Sequence, residues 1–415
     1  MKELFKNNLT KLLGWQLKRL QKHNKFNVIA VVGSSGRTSA KFAIASALQS
    51  SRLIKWQKGN YDTPLSMPLV FFGHKMPHKY NIFAWLSILL QNEFTLTREY
   101  VNSDVIVELG AYTPGQMMKF KEILNVDVAV ITGVNSDFME SFSSVDQLAK
   151  EELSVSKFAK KLIINADLID EKYYQGIKKP IETYGQKRAD VIIKMDMQVQ
   201  LNRGGKKWLT VGSAYSLNEA YAKTAAALTE SSINLSSKQI VDSIVGFESS
   251  PGRMQLLEGA NGSIIIDDTH NATADSVVAA LYMLYQRNAK HRIAMLGNMS
   301  ELGAASENAH KIVGKYCNPN YLDLLITVGP DANQYLAPSA EAKGCKVKSF
   351  ENPQEAGEYV KKHLKAKSVI LAKGSQNSIF MEEAVKVILA HDEDSSRLIR
   401  QDSDWLKKKQ QSFAT

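Results

Sequence analysis

Val28-Ile29-Ala30-Val31-Val32-Gly33-Ser34-Ser35-Gly36-Arg37-Thr38-Ser39 runs from an unbroken apolar stretch into a loop of small residues, and the helix-forming segment Ala40 to Leu48 follows. A strand, a glycine loop and a helix in that order make a seat for nucleotide phosphates. Glycines let backbone N–H groups approach the anion, and the helix N-terminus adds partial positive charge. The pattern G-x-x-x-x-G-K-[ST] is met only at Gly36 and Thr38, because Val31 stands where a glycine is wanted and Arg37 where a lysine is. A plain strand-to-helix turn without a ligand is the competing reading of the loop taken alone.

A chain of 415 residues exceeds one ordinary core and predicts more than one domain. At 44% hydrophobic and 23% charged the chain reads as globular, not disordered. Cys317 and Cys345 offer neither a disulfide framework nor metal-ligand spacing, so a reducing, cytoplasmic setting is expected. The longest dense apolar run, Ile82 to Leu90, is about half of what a membrane span needs and reads as a buried or interfacial helix.

Part of the net charge of +10 sits at the start, where Lys2, Lys6, Lys11, Lys18, Arg19, Lys22 and Lys25 face only Glu3. Leu9, Leu12, Leu13, Leu17 and Leu20 recur there at helical spacing, giving residues 1–26 an apolar stripe and a cationic face. The stripe either docks on the following domain or makes a peripheral contact with an anionic membrane surface. Interleaved charge rules out a secretory signal. Basic residues elsewhere are dispersed, and nucleic acid is not an expected partner.

From Asn27 onward strands alternate with helices: strands at 104–109, 127–134 and 161–165, with helices at 114–124 and 145–159 between them. That alternation predicts an α/β fold with a mostly parallel, P-loop-type sheet over residues 27–249. Val191 to Val211, with the turn Asn202-Arg203-Gly204-Gly205, reads as an antiparallel addition. Ser249-Ser250-Pro251-Gly252 is the expected boundary. Beyond it a fresh alternation predicts a second, smaller Rossmann-like α/β domain over 250–392. The polar end, 393–415, is expected to be a mobile tail.

Polar groups gather where strands end, which is where open α/β sheets bind ligands. Glu108 closes Asp104 to Leu109 and is a candidate for holding magnesium near the loop. Asp267-Asp268-Thr269-His270-Asn271 and Lys373-Gly374-Ser375 close two strands of the second sheet.

These blocks together resemble the Mur ligase family, most closely its MurF type, which adds D-alanyl-D-alanine to a UDP-muramoyl-tripeptide. Leu296-Gly297-Asn298-Met299-Ser300-Glu301-Leu302-Gly303 resembles the LG-D-M-x-E-L-G signature. Pro251-Gly252-Arg253-Met254, Ile266 to Ala272, and Lys373-Gly374-Ser375 with Met381-Glu382 look like further blocks in the right order. Upstream, Gly33 to Ser39 resembles the G-T-x-G-K-T-[ST] loop, Asn60 to Leu69 the N-x-N-x-x-x-G-x-P-L segment, and Glu108-Leu109-Gly110-Ala111 the E-M-G-A block.

The resemblance implies an ATP- and Mg2+-dependent ligase that joins a muramoyl-peptide-like carboxylate to an amino-acid or dipeptide amine through an acyl phosphate. It further implies that Gly33, Ser34, Ser35, Gly36, Arg37, Thr38 and Ser39 cradle the phosphates, that Thr38 and Glu108 hold magnesium, and that Arg253 reaches the phosphates. By the same match Asp268 and Asn271 take ribose and adenine, and Lys373 faces the substrate or the reacting phosphate.

Three departures fall on the family's chemistry. Arg37 replaces the loop lysine, and Phe138 stands where the family has a magnesium-binding histidine. Glu152, with Glu151 as competitor, stands near the lysine that the family carbamylates, and offers a substitute metal ligand. The match begins at the ATPase domain, without the family's earlier UDP-binding domain. A homologue that binds nucleotide or a partner without turnover is the alternative these departures leave open.

Overall fold

The computed structural model describes residues 2–57, 61–77, 81–134, 141–195, 198–211, 217–245, 251–300, 302–375 and 379–413. Asn60, Phe138, Ser249, Ser250 and Glu301, which carried expectations above, lie outside them. The chain divides into two units, Met1–Phe247 and Glu248–Thr415.

The first unit opens with α1 (Lys2–His23), β1 (Asn27–Val32), α2 (Arg37–Gln49), β2 (Ile54–Trp56), α3 (Met67–Phe72), α4 (Ile82–Leu96) and β3 (Asp104–Glu108). It continues through α5 (Gln116–Lys121), β4 (Val126–Ile131), α6 (Val145–Leu153), β5 (Ala159–Asn165), β6 (Ile181–Gly185) and β7 (Val191–Met195), and closes with β8 (Val199–Arg203), β9 (Lys206–Thr210), α7 (Leu217–Ser232) and α8 (Ser237–Val245). The strands lie in the order β2-β3-β1-β4-β5-β6-β7-β8-β9, parallel as far as β7, with β8 and β9 added antiparallel.

Alternation along β1 explains its central place. Val28, Ala30 and Val32 join one core with Val105, Val107 and Leu162, while Ile29 and Val31 join the other with Ile44, Leu48 and Leu228. A strand covered on both faces must read as a continuous apolar run. The chain leaves β1 for β2 and β3 on one side and returns to β4 on the other, so the loop after β1 sits at the switch point of the sheet.

In α1 the stripe Leu9, Leu13, Leu17 and Leu20 is buried, and Gln16 donates to the Leu89 carbonyl of α4 at 2.9 Å. The stripe faces protein, not lipid. Leu12 departs from it and is 50% exposed, because its position turns it toward the outer side of the helix. Of the two readings of Ile82 to Leu90, full burial does not hold, since α4 buries only one face, through Trp85, Ile88 and Asn92.

The second unit runs β10 (Gln255–Gly259), β11 (Ser263–Asp268), α9 (Ala274–Gln286), β12 (Arg292–Gly297), α10 (Ser306–Tyr316), β13 (Leu324–Val328), α11 (Ala337–Glu341) and β14 (Val347–Phe350). Then come α12 (Pro353–His363), β15 (Val369–Lys373), α13 (Glu382–Ile388) and α14 (Ser403–Phe413). Its sheet has the order β10-β11-β15-β12-β13-β14, with β10 antiparallel to β11 and the rest parallel.

The mobile tail expected for 393–415 is corrected: its described residues include a short 3-10 helix, Asp392–Arg397, and then α14, which are tied down by charge. Buried Arg400 makes a bidentate pair with Glu382, Nε to Oε1 at 2.7 Å and Nη2 to Oε2 at 2.6 Å. Buried Lys409 bonds Glu383 at 2.6 Å and lies 2.9 Å from Glu382. A polar composition suggests a mobile end, but two buried acids on α13 require partners.

Candidate functional site

Each unit carries its own cluster of chemistry-bearing residues. In the first, β1 ends at Val32 and the chain turns through Gly33 at φ +134°. A side chain at Gly33 would meet Thr132 Oγ1 at 2.5 Å and the Gly133 carbonyl at 2.8 Å, so only glycine fits. Ser34 N–H donates to the Gly133 carbonyl at 2.9 Å and Thr132 Oγ1 donates to the Ser35 carbonyl at 2.5 Å, which pins the loop to the end of β4. Gly36, at φ +76°, is the N-cap of α2 and gives no side-chain cap, and the first turn of α2 has no acid. Its amides are thus left for an anion. Ser35, Thr38 and Ser39 line this turn half-exposed.

Parallel register sets Val31 opposite Glu108, so the end of β3 delivers that carboxylate beside the loop. Glu108 is buried and meets two cations, Lys41 Nζ at 2.7 Å and Arg37 Nε at 3.6 Å. The Arg37 fork also folds back, its Nη1 donating to the Gly33 carbonyl at 2.6 Å, and it lies 5.9 Å from the Tyr112 ring. Tyr112 hydrogen-bonds Asp62, and Gln57 accepts from the Glu108 N–H at 2.7 Å. These contacts fix the carboxylate before any ligand arrives.

Glu151 and Glu152 are separated by what they touch. Glu151 accepts from the N–H groups of Gly115 at 2.9 Å and Met117 at 2.7 Å, capping α5. Glu152 is 1% exposed and neither of its carboxylate oxygens has a hydrogen-bond partner. Burial pushes its pKa up to about 8 against the opposing pull of Arg37 and of Ser34, which acts on it without a well-formed hydrogen bond. Arg37 therefore stands in the field of two carboxylates, Glu108 and Glu152.

An orphaned buried carboxylate of this kind fits a divalent cation. Magnesium takes oxygen ligands and is commonly held by one or two carboxylates, with water and phosphate oxygens supplying the rest. Among the described residues no three His, Cys, Asp or Glu side chains converge, and such a site does not need them. Thr38, Glu108 and Glu152 each offer hard oxygen atoms of the kind it takes, those of Glu108 being already held by Lys41 and Arg37.

In the second unit Asp268 and Lys373 are paired across β11 and β15. Lys373 is 3% exposed, with Nζ 2.7 Å from Asp268 Oδ2 and donating to the Asn271 carbonyl at 2.8 Å. Where the resemblance has it facing substrate, the ammonium is turned inward and ties the loop that follows β11. Asp268 also accepts from the Met254 N–H at 3.2 Å, and the His270 N–H donates to the Gly252 carbonyl at 3.0 Å. Arg253 is thereby carried next to Asp268, while the Asn271 side chain is exposed.

Asp267, fully buried, accepts from the Thr269 hydroxyl at 2.6 Å, and burial raises its pKa to about 6 against the Thr269 bonds. Arg400 reaches the same loop, donating to the carbonyls of Thr269 at 2.7 Å and His270 at 3.3 Å.

Sequence reasoning missed Lys41, Gln57, Asp62, Tyr112 and Arg400. Lys41 had a signal, standing one helical turn after Arg37. A cavity of about 620 Å³ lies at the opposite end of the first sheet, where Asn27, Val126 and Ala159 begin or adjoin their strands, and does not coincide with the phosphate loop.

The Mur ligase middle domain family matches residues 31–222, and the Mur ligase glutamate ligase domain family matches residues 252–376. The UDP-N-acetylmuramoyl-tripeptide–D-alanyl-D-alanine ligase of Buchnera aphidicola is 24% identical over 400 residues, covering 92% of this chain and 80% of the relative. MurF of Thermotoga maritima, solved with ADP, superposes with a TM-score of 0.72 at 20% identity over 94% of this chain and 84% of its own. A MurF structure from Acinetobacter baumannii gives 0.74 at 22% identity over 92% and 79%. At such identities the superpositions speak for the fold. With both domain families matched in order and a glycine loop, buried carboxylates and strand-end lysine in the matched regions, the chain belongs to the Mur ligase family.

Proposed function

We propose that this protein is an ATP-dependent carboxylate–amine ligase of peptidoglycan precursor synthesis, joining an amino-acid or dipeptide amine to a muramoyl-peptide carboxylate. The observation that carries this reading is the seat after β1: a helix N-terminus without a side-chain cap, with buried Glu108 paired to Arg37 and Lys41 beside it.

In this reading the loop amides and Arg37 hold the β- and γ-phosphates, neutralising charge with groups fixed in advance. Thr38, Glu108 and Glu152 would hold magnesium, which supplies further neutralisation of the phosphate oxygens. The substrate carboxylate attacks the γ-phosphorus and ADP departs, leaving an acyl phosphate. The amine then attacks the acyl carbon, loses a proton, and expels inorganic phosphate. Arg37 exchanges its bond to the Gly33 carbonyl for the phosphates, a rotation of a side chain already at the loop. In the second unit Asp268 and Asn271 would take the ribose and adenine, with Lys373 holding Asp268 in orientation and Arg253 directed to phosphate.

The test is phosphate release by the full chain with Mg-ATP, UDP-muramoyl-tripeptide and D-alanyl-D-alanine, each omitted in turn, beside calorimetric titration with Mg-ATP. Release that requires both the carboxylate and the amine is expected. Nucleotide binding without release, across carboxylate and amine substrates of this class, would instead mark a nucleotide-binding homologue without turnover.

A further inference from the structure

Turning the leucine stripe of α1 inward leaves a different apolar surface outward. On α1, Phe5, Leu12 and Trp15 are 39%, 50% and 55% exposed. On α4, Ile82, Phe83, Leu86, Leu90 and Phe94 are all more than half exposed, with Phe83 at 85%. The two sets adjoin. Gln16 and Arg19 of α1 meet Leu89 and Glu93 of α4, and at about 100° per residue Leu12 and Trp15 flank that seam on one side while Ile82, Leu86 and Leu90 flank it on the other. A continuous patch of large apolar side chains on a protein surface calls for a partner.

Its surroundings are cationic. Lys11, Lys18 and Lys22 are exposed and form a row along the edge of the α1 stripe farther from α4. Residues 5–25 contain no Asp or Glu, and the one acid of α4, Glu93, is neutralised by Arg19 at 2.7 Å. Arg19 lies over the Trp15 ring at 4.4 Å, and Arg98 over Phe94 at 4.0 Å. Aromatic and aliphatic side chains bordered by lysines match the interface of an anionic bilayer, with rings at headgroup depth and ammonium groups on lipid phosphates. A second copy docked with the two-fold axis across the helices would set the lysine row against itself, whereas an anionic surface is matched to it in any orientation. Among the described residues no helix is long and apolar enough to cross a membrane.

We propose that the outer face of α1 and α4 docks this protein on an anionic lipid surface. The inference does not depend on the ligase reading. The test is cosedimentation of the full chain with unilamellar vesicles of phosphatidylcholine and phosphatidylglycerol in equal parts, against phosphatidylcholine alone, across a salt series. Partitioning at least tenfold stronger on anionic vesicles and falling with salt is expected. Phe83→Ser with Leu90→Ser should reduce it at least tenfold, and both positions are exposed, so the fold is retained. Lys18→Gln with Lys22→Gln should weaken it about fivefold per lysine. The proposal is overturned if the wild type stays in the supernatant with anionic vesicles, or if the Phe83/Leu90 variant sediments equally. It is also overturned if light scattering finds a dimer that this variant dissociates while vesicles go unbound.

Discussion

Arg400→Met is the most telling single perturbation of the C-terminal unit. It removes the bidentate partner of Glu382, which is fully buried, and two donors to the Thr269 and His270 carbonyls. Breaking a buried ion pair from one side costs about 3–5 kcal/mol, because the surviving charge is left without compensation. Lys409, 2.9 Å from Glu382, stays behind and shields part of that charge, placing the expected loss near the lower end, about 3 kcal/mol. Methionine adds no new backbone penalty, since Arg400 already holds φ at +58° as a non-glycine residue. For a unit of this size each kcal/mol moves the midpoint by about 2–4 °C, so a fall of about 6–12 °C is expected.

Scanning calorimetry of the full chain, wild type against variant, reads this shift in the transition of residues 248–415. Adding Glu382→Gln to Arg400→Met should recover part of it, because the stranded charge is then gone. A midpoint within about 2 °C of wild type for Arg400→Met, or no recovery in the double variant, would refute the reasoning. Arg400 also fixes the loop that carries Asp268 and Asn271, so the KM for ATP should rise more than kcat falls.

Glu230, buried on α7 with the Ser243 hydroxyl at 2.8 Å, has its pKa raised by burial to about 8. The folded state then binds a proton that the unfolded state has lost above its ordinary value of 4.5. Its contribution is therefore fully present below that value and lost as pH rises toward 8, and urea titrations at pH 5, 7 and 9 should show Glu230→Gln with a flatter decline than wild type. Gly33→Ala drives a methyl to 2.5 Å from Thr132 Oγ1 and should weaken Mg-ATP binding at least about tenfold by calorimetry; unchanged affinity would remove this loop from the nucleotide seat. Glu152→Gln should lower magnesium-dependent nucleotide affinity with little loss of stability, whereas Glu151→Gln should cost about 1 kcal/mol in denaturant titration and leave affinity intact. The reverse pattern would exchange their roles.

The parallel sheet around β1 was legible because a strand buried on both faces must be apolar throughout, and Val28 to Val32 is. The nearness of Glu108 to the loop also followed, since parallel neighbours bring strand ends together. The choice between Glu151 and Glu152 did not follow, because adjacent helix positions differ only in direction, and direction depends on where α5 ends. Arg400 and Lys409 were illegible for another reason. Their acids lie many residues earlier on α13, and nothing in a polar, lysine-rich segment announces that a distant pair of carboxylates is buried. The outward face of α4 was hidden in the same way, since an all-round apolar run does not say which side will be covered.

The buried acids of α13 also impose an order of assembly. A ribosome delivers Glu382 and Glu383 before Arg400 and Lys409, and the interval is about 1–5 s at ordinary rates of synthesis. Throughout it, the sheet of the second unit has every strand it needs but no cations to pair with the two carboxylates that α13 buries over β11 and β15. Burying α13 before those residues emerge would strand two charges, so the docking of this helix is coupled to the arrival of the C-terminal segment.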